Sequence, residues 1–328
     1  MASGKLLRQL IKSGTEGDVS RFLNVSQEVI NEERAKKHHL LANDLEKILY
    51  SHTETSLSFK TNLPEDRERG LPLVVAKNPV RRLEDVVLSD DNSSILEEIL
   101  EEQHRDELLR SHGLYAADKL LFCGPPGCGK TLTAEVIASE LARPLIIVRI
   151  DSVVSSFLGE TAANLRKVFD YAATMPAVVL FDEFDALAKE RADSAEHGEL
   201  KRVVNAVLQM MDAYQGRSLL IAATNHEGIL DSAVWRRFEE VLMFEPPNLE
   251  QLRRLLEVKL RGVRRDFELE GSKIVGLFKG MSHADTERVL RRAIKDMVLG
   301  GQEFLTSRHV ESAVKREDVR RRRINGRG

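Results

Sequence analysis

Apolar positions along the chain change their period twice. In residues 1–50, Leu6, Leu7, Leu10 and Ile11 form one helical face, Phe22, Leu23, Val29 and Ile30 a second, and Leu41, Leu45, Ile48 and Leu49 a third. Gly14 and Gly17 break the first from the second, so this stretch reads as a small helical module. Residues 51–77, opening with the polar run Ser51–Gly70, read as a linker. Over residues 78–246 the pattern becomes short apolar runs separated by helical periods. The runs are Lys119–Cys123, Pro144–Val148, Ala177–Phe181, Ser218–Ala223 and Glu240–Phe244, suited to strands buried on both faces of a parallel sheet. Between them, Leu165, Val168, Phe169 and Ala172 follow the helical period, as do Leu200, Val203, Val204, Val207, Leu208 and Met211. Such alternation predicts a doubly wound α/β domain with a parallel five-stranded sheet. After Pro246 and Pro247 the strands stop. Residues 247–328 read as a small helical domain, with faces at Leu249–Leu260, Val289–Met297 and Val310–Val314. No internal repeat is present.

Composition adds exclusions. Across 328 residues, 42% are hydrophobic and 31% charged, enough for an ordinary core and too apolar for disorder. A net charge of −3 gives no broad attraction for nucleic acid or membrane. The basic tail from Lys315 to Gly328 is the local exception, and a solvated helix end is its simplest reading. No apolar leader-like stretch opens the chain, and the uncharged run Tyr171–Phe181 is far short of a span, so a soluble, cytoplasmic protein is expected. The two cysteines, Cys123 and Cys128, lie too close together to staple a fold, and the nine histidines show no metal-ligand spacing.

The chemistry centres on Gly124-Pro125-Pro126-Gly127-Cys128-Gly129-Lys130-Thr131, a G-x-x-x-x-G-K-[ST] loop between a strand and a helix that continues from Leu132. Glycines with positive φ let the backbone wrap a phosphate, its N–H groups form an anion nest, and the helix dipole adds to it. Lys130 would reach the β- and γ-phosphates of ATP, and the Thr131 hydroxyl would ligate Mg²⁺. Cys128, near a helix N-terminus, is expected to have a lowered thiol pKa and to be shielded by ATP. A second acidic site follows the apolar run Val178–Phe181. There Asp182 would hold Mg²⁺ through water and Glu183 would polarise the attacking water, although both could simply cap the next helix.

These motifs, with Asp182-Glu183-Phe184-Asp185, Ala222-Ala223-Thr224-Asn225 and Asp231–Phe238, resemble the AAA family in order and spacing from about residue 78 onward. The resemblance implies a Mg²⁺-dependent ATPase. Asn225 would be the sensor that orients the water. Arg236 and Arg237 would be fingers reaching a neighbour's γ-phosphate, in a spelling that resembles the spastin and katanin group; as isolated residues they could be surface charges. Trans-acting fingers imply a homo-oligomer, usually a hexameric ring. Phe157 and Leu158, in Ser156–Glu160, resemble the aromatic–aliphatic–Gly pore loop that grips a polypeptide substrate, though Phe157 could instead tuck into the core. Gly280–Asp285 resembles the lid segment beside adenine, with His283 and Ala284 in contact and His283 standing where the family has glycine. The segment Asp85-Val86-Val87 matches the stretch lining adenine's other side, with Asp85 and Val87 in contact. The N-terminal helices and the length resemble stand-alone bacterial AAA ATPases, often encoded beside a subtilisin-like serine protease. No protease motif is legible in this chain, so proteolysis would belong to a partner.

Three functions compete at this stage: a polypeptide remodeller, a nucleic-acid machine supported by the basic tail, and a nucleotide-driven assembly switch. The chain has no aromatic–basic interleaving for stacking bases, which disfavours nucleic acid.

Overall fold

The computed structural model describes residues 63–66, 70–154, 158–185, 206–226, 228, 232–270 and 273–325, together with 6, 8, 9, 12, 25, 26, 28–30, 32 and 36. The chain divides into two compact units, Met1–Asn62 and Leu63–Gly328. In the first, Val25 and Ile30 are buried, and Lys36 pairs with Glu32 one helical turn away at 2.6 Å. Of its expected apolar faces, Leu6, Val29 and Ile30 are described; the remaining positions lie outside the described residues.

The second unit is built on a six-stranded sheet: β1 (Val74–Lys77), β2 (Lys119–Cys123), β3 (Leu145–Val148), β4 (Val178–Phe181), β5 (Leu219–Thr224) and β6 (Glu240–Met243), in the order β1-β3-β4-β5-β2-β6. The five expected strands appear as β2 to β6, paired in parallel throughout. β1 was not anticipated. It lies in the stretch read as a linker and pairs antiparallel with β3, Val74 opposite Val148. β1 comes from the apolar run Leu71–Ala76 but is unevenly covered, with Val74 buried and Val75 and Lys77 exposed, unlike β4 and β5, every residue of which is buried.

Because side chains alternate across a strand, β2 sends Leu121 and Cys123 to one face and Leu120 and Phe122 to the other. On the first face they join Phe181, Phe184 and the buried positions Leu165, Val168, Phe169 and Ala172 of Leu158–Thr174. On the second they meet Leu96 and Ile99 of α1 (Asp90–His104) and Ala134 and Ile137 of α2 (Lys130–Glu140).

A separate apolar cluster gathers Leu252 and Leu256 of α3 (Leu249–Lys259), Val289, Leu290 and Ala293 of α4 (His283–Leu299), and Val310, Ala313 and Val314 of α5 (Ser307–Asn325). Asn248 starts α3 with a capping box, its side chain accepting from Gln251 N–H while the Gln251 side chain accepts from Asn248 N–H. Among the described residues no helix is long and apolar enough to cross a membrane.

Candidate active site

β2 and β5 lie side by side, with Cys123 opposite Thr224, so Gly124 and Asn225 leave the sheet together at its strand-end edge. The Gly124 N–H donates to Thr224 O at 3.3 Å. A Cβ on Gly124 would stand 1.9 Å from Phe244 O, so only glycine can make this exit. Gly129, at φ +106°, caps the N-terminus of α2, and a Cβ there would meet nothing within 4 Å. Its backbone conformation calls for glycine and leaves open space over the helix end, as a phosphate cradle requires.

Lys130 is buried and donates to Gly124 O at 2.6 Å, Pro125 O at 3.0 Å and Asn225 Oδ1 at 2.9 Å. Burial pushes its pKa down, against Cys128, Asp182, Cys123 and Asp185, which pull it up. The Thr131 hydroxyl donates to Asp182 Oδ2 at 2.8 Å. Beyond Asp182 the chain turns sharply. Glu183 has φ +54°, a conformation that costs a residue with a Cβ about 1–3 kcal/mol. Two bonds hold it there: Glu183 N–H to Asp182 Oδ1 at 3.0 Å, and Phe184 N–H to Ala223 O at 2.8 Å. Buried Asp185 accepts from the Thr224 hydroxyl at 3.2 Å and from Asn225 N–H at 3.3 Å, tying the turn after β4 to the end of β5.

The start of α4 closes the other side. Ala284 N–H donates to Gly127 O at 3.0 Å, and a Cβ on Gly127 would lie 3.0 Å from Ala284 Cβ and from Ser282 Oγ. The result is a cleft of about 370 Å³ lined by Asp85, Val87, Pro126, Gly127, Gly129, Lys130, Thr131, Leu132, Asp182, Glu183, Asn225, His283 and Ala284. Val86, within the expected Asp85–Val87 stretch, also lines it, and sequence reasoning missed three further lining residues: Leu255, Lys259 and Glu287. Lys259 pairs with Glu287 at 2.9 Å. The available signal was helical spacing, since Leu255 and Lys259, like His283 and Glu287, are four apart on one face.

Three loop residues do not line this cleft: Gly124, Pro125 and Cys128. The Cys128 thiol corrects the expectation of a reactive cysteine. It is only 2% exposed, packs in the cluster of Phe122 and Phe244, and burial pushes its pKa up. A thiol turned into the core is desolvated, and that outweighs the helix end. His283 keeps both ring nitrogens buried with no hydrogen bond of good geometry, the Val87 backbone being near but poorly placed. Burial and the charge of Lys259 lower its pKa, while the Val87 backbone raises it.

Arg236 and Arg237 stand apart from the cleft. They precede β6, whose Glu240 lies beside Leu120 near the start of β2, whereas the phosphate loop leaves the far end of β2. Arg236 is exposed, and Arg237 pairs with Asp212 at 3.3 Å. Phe157 lies outside the described residues. Leu158 opens the helix Leu158–Thr174, and its side chain is likewise outside them.

Residues 120–246 match the family model described as "ATPase family associated with various cellular activities (AAA)". The chain is 41% identical over 325 residues to an uncharacterized AAA family ATPase, y4kL, of Sinorhizobium fredii, covering 98% of this chain and 97% of that protein. It is 33% identical over 210 residues to a 26S proteasome regulatory subunit homolog of Methanothermobacter marburgensis, 63% of this chain and 56% of the relative. To the ATP-dependent zinc metalloprotease FtsH 2 of Symbiobacterium thermophilum it is 31% identical over 254 residues, 75% of this chain and 43% of that enzyme. A relative matched over nearly its whole length carries the assignment: the chain belongs to the AAA family of ATPases.

Proposed function

We propose that this ATPase is a cytoplasmic, ring-forming remodeller that spends ATP on threading or unfolding polypeptides. The cleft supports an ordered division of labour. Backbone N–H groups of the loop through Gly129 receive the phosphates, and Lys130 exchanges its carbonyl partners for phosphate oxygens. Thr131 and Asp182, with oxygens 2.8 Å apart on the cleft wall, suit a Mg²⁺ that keeps most of its shell as water and phosphate. Bound there, the ion would neutralise charge on the β- and γ-phosphate oxygens. Exposed Glu183 takes the proton of the attacking water, and Asn225, anchored through Asp185, orients that water.

The observation that carries the oligomer is the position of the arginines. A four-residue strand such as β6 spans roughly 13 Å, and Arg236 and Arg237 sit at its start, opposite the phosphate loop. They cannot serve their own site in this arrangement. In a ring, a neighbouring subunit's site would offer both guanidinium groups a γ-phosphate to stabilise, and a closed hexamer would satisfy every interface alike.

Remodelling of protein rests on the Phe157-Leu158 pore-loop motif and on relatives named as a proteasome regulatory subunit homolog and an ATP-dependent protease. A subtilisin-like serine protease is the proposed partner for any proteolysis. The test is the ligand that accelerates ATP turnover. An unfolded polypeptide should stimulate phosphate release, while DNA and RNA should not. Stimulation by nucleic acid alone would replace this reading with a nucleic-acid machine, and no stimulation by either would leave an assembly switch.

A further inference from the structure

The arginine-rich C-terminal helix is not simply a solvated end. On α5, Glu317 is 2% exposed and accepts from Arg288 at 2.7 Å and from Arg320 at 3.0 Å. Arg288 also donates to Asp285 at 2.8 Å. The next residue on α5, Arg321, donates to Gly280 O at 3.3 Å through one nitrogen and to the Asp285 carboxylate through the other. Arg321 therefore grips both ends of the turn 280–285. The residues inside that turn meet the phosphate loop: Ser282 and Ala284 press on Gly127, and His283 and Ala284 line the cleft.

We propose that Arg321 is a positioning residue for nucleotide binding, strapping the lid turn against the phosphate loop from the C-terminal helix. The inference rests on reading this cleft as the ATP site. A merely structural tie between α4 and α5 is not needed where the strap sits. Those helices already share an apolar interface through Val289, Leu290 and Ala293 against Val310, Ala313 and Val314. With Arg321 30% exposed, solvent screens the ion pair and it adds little to global stability. Its leverage is local: Arg321 spans the turn from Gly280 to Asp285, whereas the other anchors each act at one point, namely Met281 N–H on Phe278 O, the Ser282 cap on Asp285 N–H, Arg288 on Asp285 and the single bond from Ala284 to Gly127. Arg322, the following residue, is exposed and outside this network.

The experiment uses the full chain, a fluorescent ATP analogue and steady-state phosphate release. Arg321→Ala and Arg321→Gln should weaken analogue binding about tenfold and raise KM by the same factor. Neither should change kcat at saturating ATP, and the nucleotide-free melting temperature should fall by no more than a few degrees, as loss of one partly exposed ion pair allows. Arg321→Lys should retain most of the affinity, and Arg322→Ala all of it. Normal affinity in both neutral variants, while Lys130→Ala abolishes binding, would overturn the strap and leave the site reading intact. Equal losses in Arg322→Ala would reduce the effect to general charge and overturn it too. Unfolding of both neutral variants would make Arg321 a stability residue. Normal binding by Lys130→Ala would remove the site reading and the strap with it.

Discussion

The Thr131 hydroxyl donates to Asp182 Oδ2 across 2.8 Å, joining residues 51 apart in sequence. One sits in the first turn of α2 and the other just past β4. β5 separates β4 from β2, so parallel pairing delivers both strand ends to the same edge of the sheet. The pair marks where a metal and the reacting phosphate would meet, with Glu183 one residue further on.

Glu183→Gln should bind ATP normally and lose turnover by about 10²–10⁴, because an amide cannot take the proton. Lys130→Ala should instead fail to bind. Analogue fluorescence and phosphate release on the same preparations separate the two effects. Near-normal turnover by Glu183→Gln would assign the base elsewhere.

Arg236→Ala and Arg237→Ala should keep ATP binding and lose turnover by about 10³. Each arginine is proposed to serve a neighbour's site. Mixing either variant with Glu183→Gln should therefore recover part of the activity, at interfaces pairing an intact Glu183 with intact arginines. Light scattering with a non-hydrolysable analogue should show the oligomer. A monomer under those conditions would end the trans-finger reading.

Cys128 should resist alkylation in the native protein with or without ATP, because its thiol is buried and its pKa is raised. Labelling should become rapid only in denaturant, which mass measurement after timed quenching can follow. Rapid native labelling that ATP suppresses would place the thiol in the cleft after all.

Asp285 links stability to pH. Burial pushes its carboxyl up, but bonds from Arg321, Ser282 and Arg288 bring it from 3.8 down to about 2. A depressed carboxyl stabilises the fold above its unfolded value, and that contribution is lost as pH falls through the folded one. Wild type should therefore be more stable than Asp285→Asn at neutral pH, with the gap narrowing below about pH 4. Urea unfolding at stepped pH gives the comparison, and a gap independent of pH would show that the charge carries no stability.

Phe157→Ala should leave nucleotide binding and basal turnover intact and remove stimulation by unfolded polypeptide, since an aromatic ring in a channel grips varied side chains by apolar contact. A core phenylalanine behaves differently: its truncation costs about 3–5 kcal/mol. Thermal melting measured beside basal and stimulated turnover distinguishes them, and a large loss of stability would place Phe157 in the core.

Local pattern was enough to read the parallel strands, the phosphate loop and the acidic strand end. Each is written in a contiguous run: Leu120–Cys123 apolar throughout, Gly124–Thr131 with glycines where φ turns positive, Asp182-Glu183 directly after Val178–Phe181. Burial on both faces and phosphate wrapping each demand particular residue types at consecutive positions, so the sequence by itself determined these features. Tertiary structure alone decided the rest. β1 is a strand because β3 offers it a free edge, and neither that partner nor the antiparallel sense of the pairing is written in the short apolar run Leu71–Ala76. Leu255 and Lys259 reach the cleft because α3 packs over it, and Cys128 turns inward because Phe122 and Phe244 make an apolar pocket behind the loop. Arg321 finds Asp285 and Gly280 only once α4 and α5 lie side by side. In a linear reading the same arginine is one of a solvated run. Long-range packing gives it a partner, and a charge whose partner lies 36 positions away leaves no local trace.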